Sequence, residues 1–131
     1  MRKNTKGGAI VNSFSLQKTP KGYTFDLRSG NGQIIAVSES YRTEAACRNG
    51  IRSVYANADA PLEDCTTDEM QVPNPKFQLY QDKRGLFRFR LKARNGRIIA
   101  VSQAYRSKVA CMEGIESVRA NAKILIQEDS V

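Results

Sequence analysis

Apolar and basic residues alternate along Leu86 to Ala93, where Phe87, Phe89 and Leu91 are separated by Arg88, Arg90 and Lys92. A period of two predicts a strand with one face on a core. Phe77 to Gln81 predicts a strand before it, joined through the turn residues Asp82 to Gly85. Asn95-Gly96 predicts a tight type I′ hairpin, whose two central residues take positive φ, so Ile98 to Gln103 is expected to return as a third antiparallel strand. After Tyr105 the period lengthens. Cys111, Ile115, Val118 and Ala122 fall at helical spacing on one apolar stripe, with Ser107 as N-cap. Asn121, near the helix end, suits a left-handed terminating position.

The same pattern occurs twice. Asn31 to Ala58 aligns with Asn95 to Ala122 at a constant offset of 64, and 18 of the 28 pairs are identical. Upstream, the run from Phe14 answers the run from Phe77, with one residue more in the second copy. In the first copy Thr43 takes the cap, Cys47, Ile51, Val54 and Ala58 the stripe, and Asn57 the terminating position. Gly50 and Gly114 lie mid-helix, where glycine costs about 1 kcal/mol relative to alanine, so close helix-to-sheet approach is expected there. Three strands and one helix enclose about half a core, so two such units are expected to share one sheet with both helices on one side.

The resulting expectation is an α+β fold of two tandem β-β-β-α-β repeats in one antiparallel sheet. Its parts are a basic N-terminal segment over 1–13, repeat 1 over 14–68, a linker over 69–76, and repeat 2 over 77–131. All belong to one compact domain, expected to be a monomer with an internal pseudo-twofold axis. KILIQ after the second helix has strand character, whereas APLEDCTTDEMQVPNP after the first is acidic and proline-punctuated and reads as a connector with room for a short opening strand.

These segments resemble the YegP-like family of small bacterial and archaeal proteins, grouped as a domain of unknown function. The resemblance is carried by LYQDKRGLFRFRLKARNGRIIAVSQAY, by the following CMEGIESVRANA, and by the tandem arrangement. It implies that the two units exchange their last strands, PLEDC and KILIQ. Phe14 to Leu27 departs from the family form that Asp82 to Leu91 keeps, which leaves the first hairpin less defined. The family brings no established activity.

Composition narrows the chemistry. The chain has 131 residues and no histidine, so the usual general base at neutral pH and the commonest metal ligand are both absent. Cys47 and Cys111 read as core residues, and Cys65 stands beside Glu63, Asp64 and Asp68, which oppose thiolate formation. The carboxylates of the linker lack the ligand spacing of a calcium loop and read as a solvated connector. No cofactor, metal site or catalytic constellation is expected. Three unclustered cysteines, no secretory signal and no apolar run of membrane-spanning length predict a cytoplasmic protein without membrane contact.

Charge is the most informative remaining feature. The formal net charge is +8, of which Phe77 to Ala122 carries +7 and Phe14 to Ala58 +3, while Asp59 to Lys76 carries −4. Arg88, Arg90 and Lys92 are expected on the open sheet face with Tyr80, flanked by Arg94 and Arg97 at the hairpin tip. A basic sheet with an aromatic predicts weak, non-specific contact with nucleic acid or with an acidic protein surface, although cations there also serve solubility. Two Ser-x-x-Tyr-Arg corners, Ser38, Tyr41 and Arg42 and their counterparts Ser102, Tyr105 and Arg106, offer an alternative reading as a small-molecule or anion site, enzymatic or not.

Overall fold

The computed structural model describes residues 9–11, 14–68 and 70–122, and of 9–11 only the backbone. Among the described residues eight strands form one sheet: β1 (Ala9–Val11), β2 (Phe14–Thr19), β3 (Gly22–Arg28), β4 (Ile34–Val37), β5 (Leu62–Asp64), β6 (Lys76–Gln81), β7 (Phe87–Lys92) and β8 (Ile98–Val101). The helices are α1 (Glu44–Asn57) and α2 (Lys108–Ala122). Strand order is β1-β2-β3-β4-β8-β7-β6-β5, so the repeats meet at the β4–β8 seam through Val37 and Val101.

The tandem α+β architecture is as the sequence implies, with one correction to the all-antiparallel sheet. β5, which follows the first helix, crosses to the second repeat and pairs with β6 in parallel, Glu63 beside Gln78. β5 thereby forms the edge of the sheet on the side of the second repeat. This is the exchanged strand for PLEDC; its counterpart KILIQ, at 123–127, lies outside the described residues. At the opposite edge β1, within the segment read only as basic, pairs with Phe14, Ser15 and Leu16 of β2.

Both helices cover one face. α1 packs on β2 and β3 and reaches across the seam to β8, while α2 packs on β6 and β7 and reaches across to β3 and β4. Phe14, Phe25, Leu27, Phe77, Phe89 and Leu91 are fully buried beneath them, together with Cys47, Val54, Cys111 and Val118. Neither repeat encloses this core alone. Burying apolar side chains of this size stabilises by about 1.5–3 kcal/mol each.

The mid-helix glycines have a specific cause. A Cβ on Gly50 would lie 2.4 Å from Tyr41 Oη, and one on Gly114 2.4 Å from Tyr105 Oη. Each tyrosine stacks on the core phenylalanine of its repeat, Phe25 or Phe89, with ring centroids 6.4 Å apart. The helix therefore rests on a phenol where another residue would carry a methyl group.

Two local expectations change. Gly96 N donates to Ala93 O, and Ala93 N to Arg97 O, at 2.9 Å each. The turn is thus centred on Arg94-Asn95, with Gly96 at φ +86° closing a three-residue connection in place of a type I′ pair. Asn95 Oδ1 accepts from Arg97 N and holds it. Asn57 and Asn121 are helical, and each donates its side-chain amide to the carbonyl four residues back, Ser53 O and Ser117 O, at 2.8 Å. That bond adds to a carbonyl that already accepts within the helix, so neither asparagine takes the left-handed terminating position. The N-caps are as expected: Thr43 Oγ1 accepts from Ala46 N and Ser107 Oγ from Ala110 N, at 3.0 Å each.

Candidate functional site

The face opposite the helices carries the candidate cations. Register across seven strands aligns Ser15, Asp26, Val37, Val101, Arg90, Gln78 and Glu63 in one row. The pseudo-twofold axis falls between the two valines. Asp26 and Arg90 therefore occupy equivalent places with opposite charge.

In the second repeat Arg90 Nε donates to Gln78 Oε1 at 2.8 Å, and the guanidinium carbon lies 4.6 Å from the centroid of the Tyr80 ring. Gln78 in turn donates to Glu63 Oε1 at 2.7 Å. Arg90 is thus oriented by a neutral amide and an aromatic face. Lys92, the next open-face cation on β7, has no ion pair among the described residues, and Arg94 is exposed in the turn.

Two members of the predicted set are placed otherwise. Arg88 shares the open face, but its Nε donates to Asp82 Oδ2 at 3.0 Å, and Arg88 foremost holds the Asp82 carboxyl below its ordinary range. Arg97 leaves the set. Ile98 pairs with Lys92 and shares its face, so Arg97 turns to the helix side, where it pairs with Glu39 across the seam at 2.8 Å. The period of two in β8 carries that signal in the sequence.

The acidic connector is not the solvated link that its composition implies. Glu63 is buried, and it accepts from Gln78 Nε2, from Val72 N at 2.7 Å and from Lys76 Nζ at 3.0 Å. These bonds, Gln78 foremost, lower its pKa to about 2. The Val72 bond ties the connector back to β5 at that end of the basic face. Asp64 pairs with Lys108 at 2.8 Å and ties β5 to the start of α2.

The corners are built mostly by structural bonds. Ser38 Oγ accepts from Phe25 N at 2.9 Å and donates to Glu39 O at 2.7 Å, and Ser102 Oγ does the same with Phe89 N and Gln103 O. Tyr41 and Tyr105 lie beneath the helical glycines. Arg42 and Arg106 are exposed with no ion pair among the described residues. The corner residues thus divide between packing and solvent. Cys47 and Cys111 are buried, and burial pushes both thiols up to about 11. Cys65 is exposed, and its thiol is raised by partial burial and then by Glu63. No group of three metal-ligating side chains occurs among the described residues, and no helix there is long and apolar enough to cross a membrane.

The family model for a domain of unknown function, DUF1508, matches residues 21–64 and again 82–124. The chain belongs to the YegP-like DUF1508 family. Its two matches coincide with the repeats that the sheet joins. Among YegP-like relatives, the UPF0339 protein plu2779 of Photorhabdus laumondii is 38% identical over 108 residues, covering 82% of this chain and 83% of that protein. A UPF0339 protein of Treponema denticola is 64% identical over 47 residues, 36% of this chain but 81% of its own length, and so is little longer than one repeat. The solution structure of yegP from E. coli, a protein of unknown function, superimposes with a TM-score of 0.69 at 31% identity, covering 88% of this chain and 90% of that one.

Proposed function

We propose that the chain is a small non-catalytic binding module whose second repeat makes weak, sequence-independent contact with polyanions, single-stranded nucleic acid in particular. The observation that supports this is the setting of Arg90. Its Nε is held by Gln78 and its plane by Tyr80, while its terminal nitrogens have no partner among the described residues, beside Lys92, which has no ion pair among them, and an exposed Arg94. Guanidinium groups held in plane match phosphate oxygens well. Because Arg90 already covers the Tyr80 ring, phosphate contact outweighs base stacking, and little sequence preference follows. The footprint is Tyr80, Arg90, Lys92 and Arg94. An acidic protein surface would meet the same groups through carboxylates.

The test is fluorescence anisotropy with labelled single-stranded DNA and RNA over a range of salt. About three phosphates neutralised on a single strand give a log–log salt slope of roughly −2. Arg90→Asp installs the residue that the first repeat carries at this place, and should flatten the slope and abolish binding. Absence of binding by the parent protein at low salt would overturn the proposal.

A further inference from the structure

On the helix side, α1 of the first repeat and the β7–β8 hairpin of the second enclose a cleft of about 310 Å³, lined by Tyr41, Asn49, Ser53, Asn95, Arg97 and Ile99 among others. Pockets for small ligands begin near this size. Its polar groups are mostly donors. Arg97 spends Nη2 on Glu39 and keeps Nε and Nη1. Asn95 uses its oxygen on Arg97 N and keeps its amide hydrogens. Ser53 Oγ accepts from Asn57, which leaves its own hydrogen to donate. Tyr41 Oη and the Asn49 amide have no partner among the described residues, and burial raises the Tyr41 pKa, so the phenol keeps its proton.

The related place on the other side of the pseudo-twofold differs where charge matters. Asn49 corresponds to Glu113, Arg97 to Gln33, and Glu39 to Gln103. One place carries an arginine and an amide, and its counterpart carries a glutamate and no arginine. The shared fold does not demand Arg97, because the first repeat builds the same hairpin with glutamine.

We infer that the cleft between α1 and the β7–β8 hairpin is a receptor for a small oxyanion, a carboxylate or phosphate group held by Arg97 and by the Asn49, Asn95, Ser53 and Tyr41 donors. Glu39 is its internal competitor. The Arg97–Glu39 pair is largely exposed, 66% and 48%, and such pairs hold weakly, so a ligand oxyanion displaces the Glu39 carboxylate from the guanidinium. This site is separate from the open face and does not rest on the nucleic-acid reading.

The experiment is a ¹H–¹⁵N titration of the full chain with citrate and, separately, with inorganic phosphate. Saturable shifts are expected at Asn49, Ser53, Asn95 and Arg97, and whichever probe binds more tightly identifies the oxyanion class. Glu39→Gln, which takes the counterpart's residue, should tighten binding. Asn49→Glu combined with Arg97→Gln rebuilds the counterpart's chemistry and should weaken binding roughly tenfold or more, the scale of losing a charged hydrogen bond. Unsaturating shifts, shifts confined to Arg90 and Lys92, or looser binding by Glu39→Gln would each overturn the assignment.

Discussion

The two repeats have nearly the same interior and opposite exteriors. Phe14 meets Phe25 edge-on at 5.8 Å and Phe25 stacks on Tyr41 at 6.4 Å, and in the second repeat Phe77, Phe89 and Tyr105 repeat both contacts at 6.0 and 6.4 Å. On the other face of the same strands, Asp26 accepts from Arg28 and Gln17 in the first repeat, while Arg90 is held by Gln78 and Tyr80 in the second. Alternate side chains of a strand point to opposite faces, so the core can be held constant while the open face changes charge. The shared contacts are the requirement of the fold. The charge difference is where the second repeat is free to acquire a role.

The strongest way to break this comparison is through the glycines. Gly50→Ala and Gly114→Ala should each destabilise by about 1–3 kcal/mol from overpacking against a tyrosine hydroxyl, against a gain of about 1 kcal/mol in helix propensity. Urea denaturation measures both. Equal losses, partly recovered by Tyr41→Phe and Tyr105→Phe in the respective backgrounds, would sustain the equivalence of the two interiors.

The serines sharpen it. Ser102→Ala leaves Phe89 N without its partner at a place only 3% exposed, and should cost about 1–3 kcal/mol. Ser38→Ala removes the same bond where Ser38 is half-buried, so water replaces part of it and the loss is smaller. The same denaturation curves report the ordering.

A pH-dependent effect belongs to the strand that crosses to the second repeat. The pKa of Glu63 is lowered in the folded chain from 4.5 to about 2. Its contribution is therefore fully present above about pH 4.5 and is lost as pH falls toward 2. Thermal melts should show wild type more stable than Glu63→Gln at neutral pH, with the gap closing across that window. The bonds to Glu63 arise from the crossing strand, which brings it beside Gln78 and the backbone at Val72.

The tandem strands, both helices, their caps and the duplicated core are legible in the residues, because alternation and the helical stripe are local and occur twice. Three features are not. Glu63 sits in an acidic run and reads as solvated, yet β5 carries it beside Gln78 and the backbone at Val72 closes over it. Gly50 reads as a place of close approach, but its partner, the Tyr41 hydroxyl, is fixed by how the helix settles on the sheet. The Arg97–Glu39 pair joins residues 58 apart, across the seam between the repeats.

The amino-acid order by itself determined that there are two β-β-β-α units, which residues each buries, and that the second holds the excess positive charge. Those properties follow from periodicity and composition, which act over a few residues. Only the tertiary structure decided that the first unit's last strand crosses to lie parallel to β6, that a carboxylate from it neutralises one end of the basic face, and that Arg97 faces a cleft instead of the open sheet. Each of these depends on which strands become neighbours, and that is set by how two half-cores close on one another.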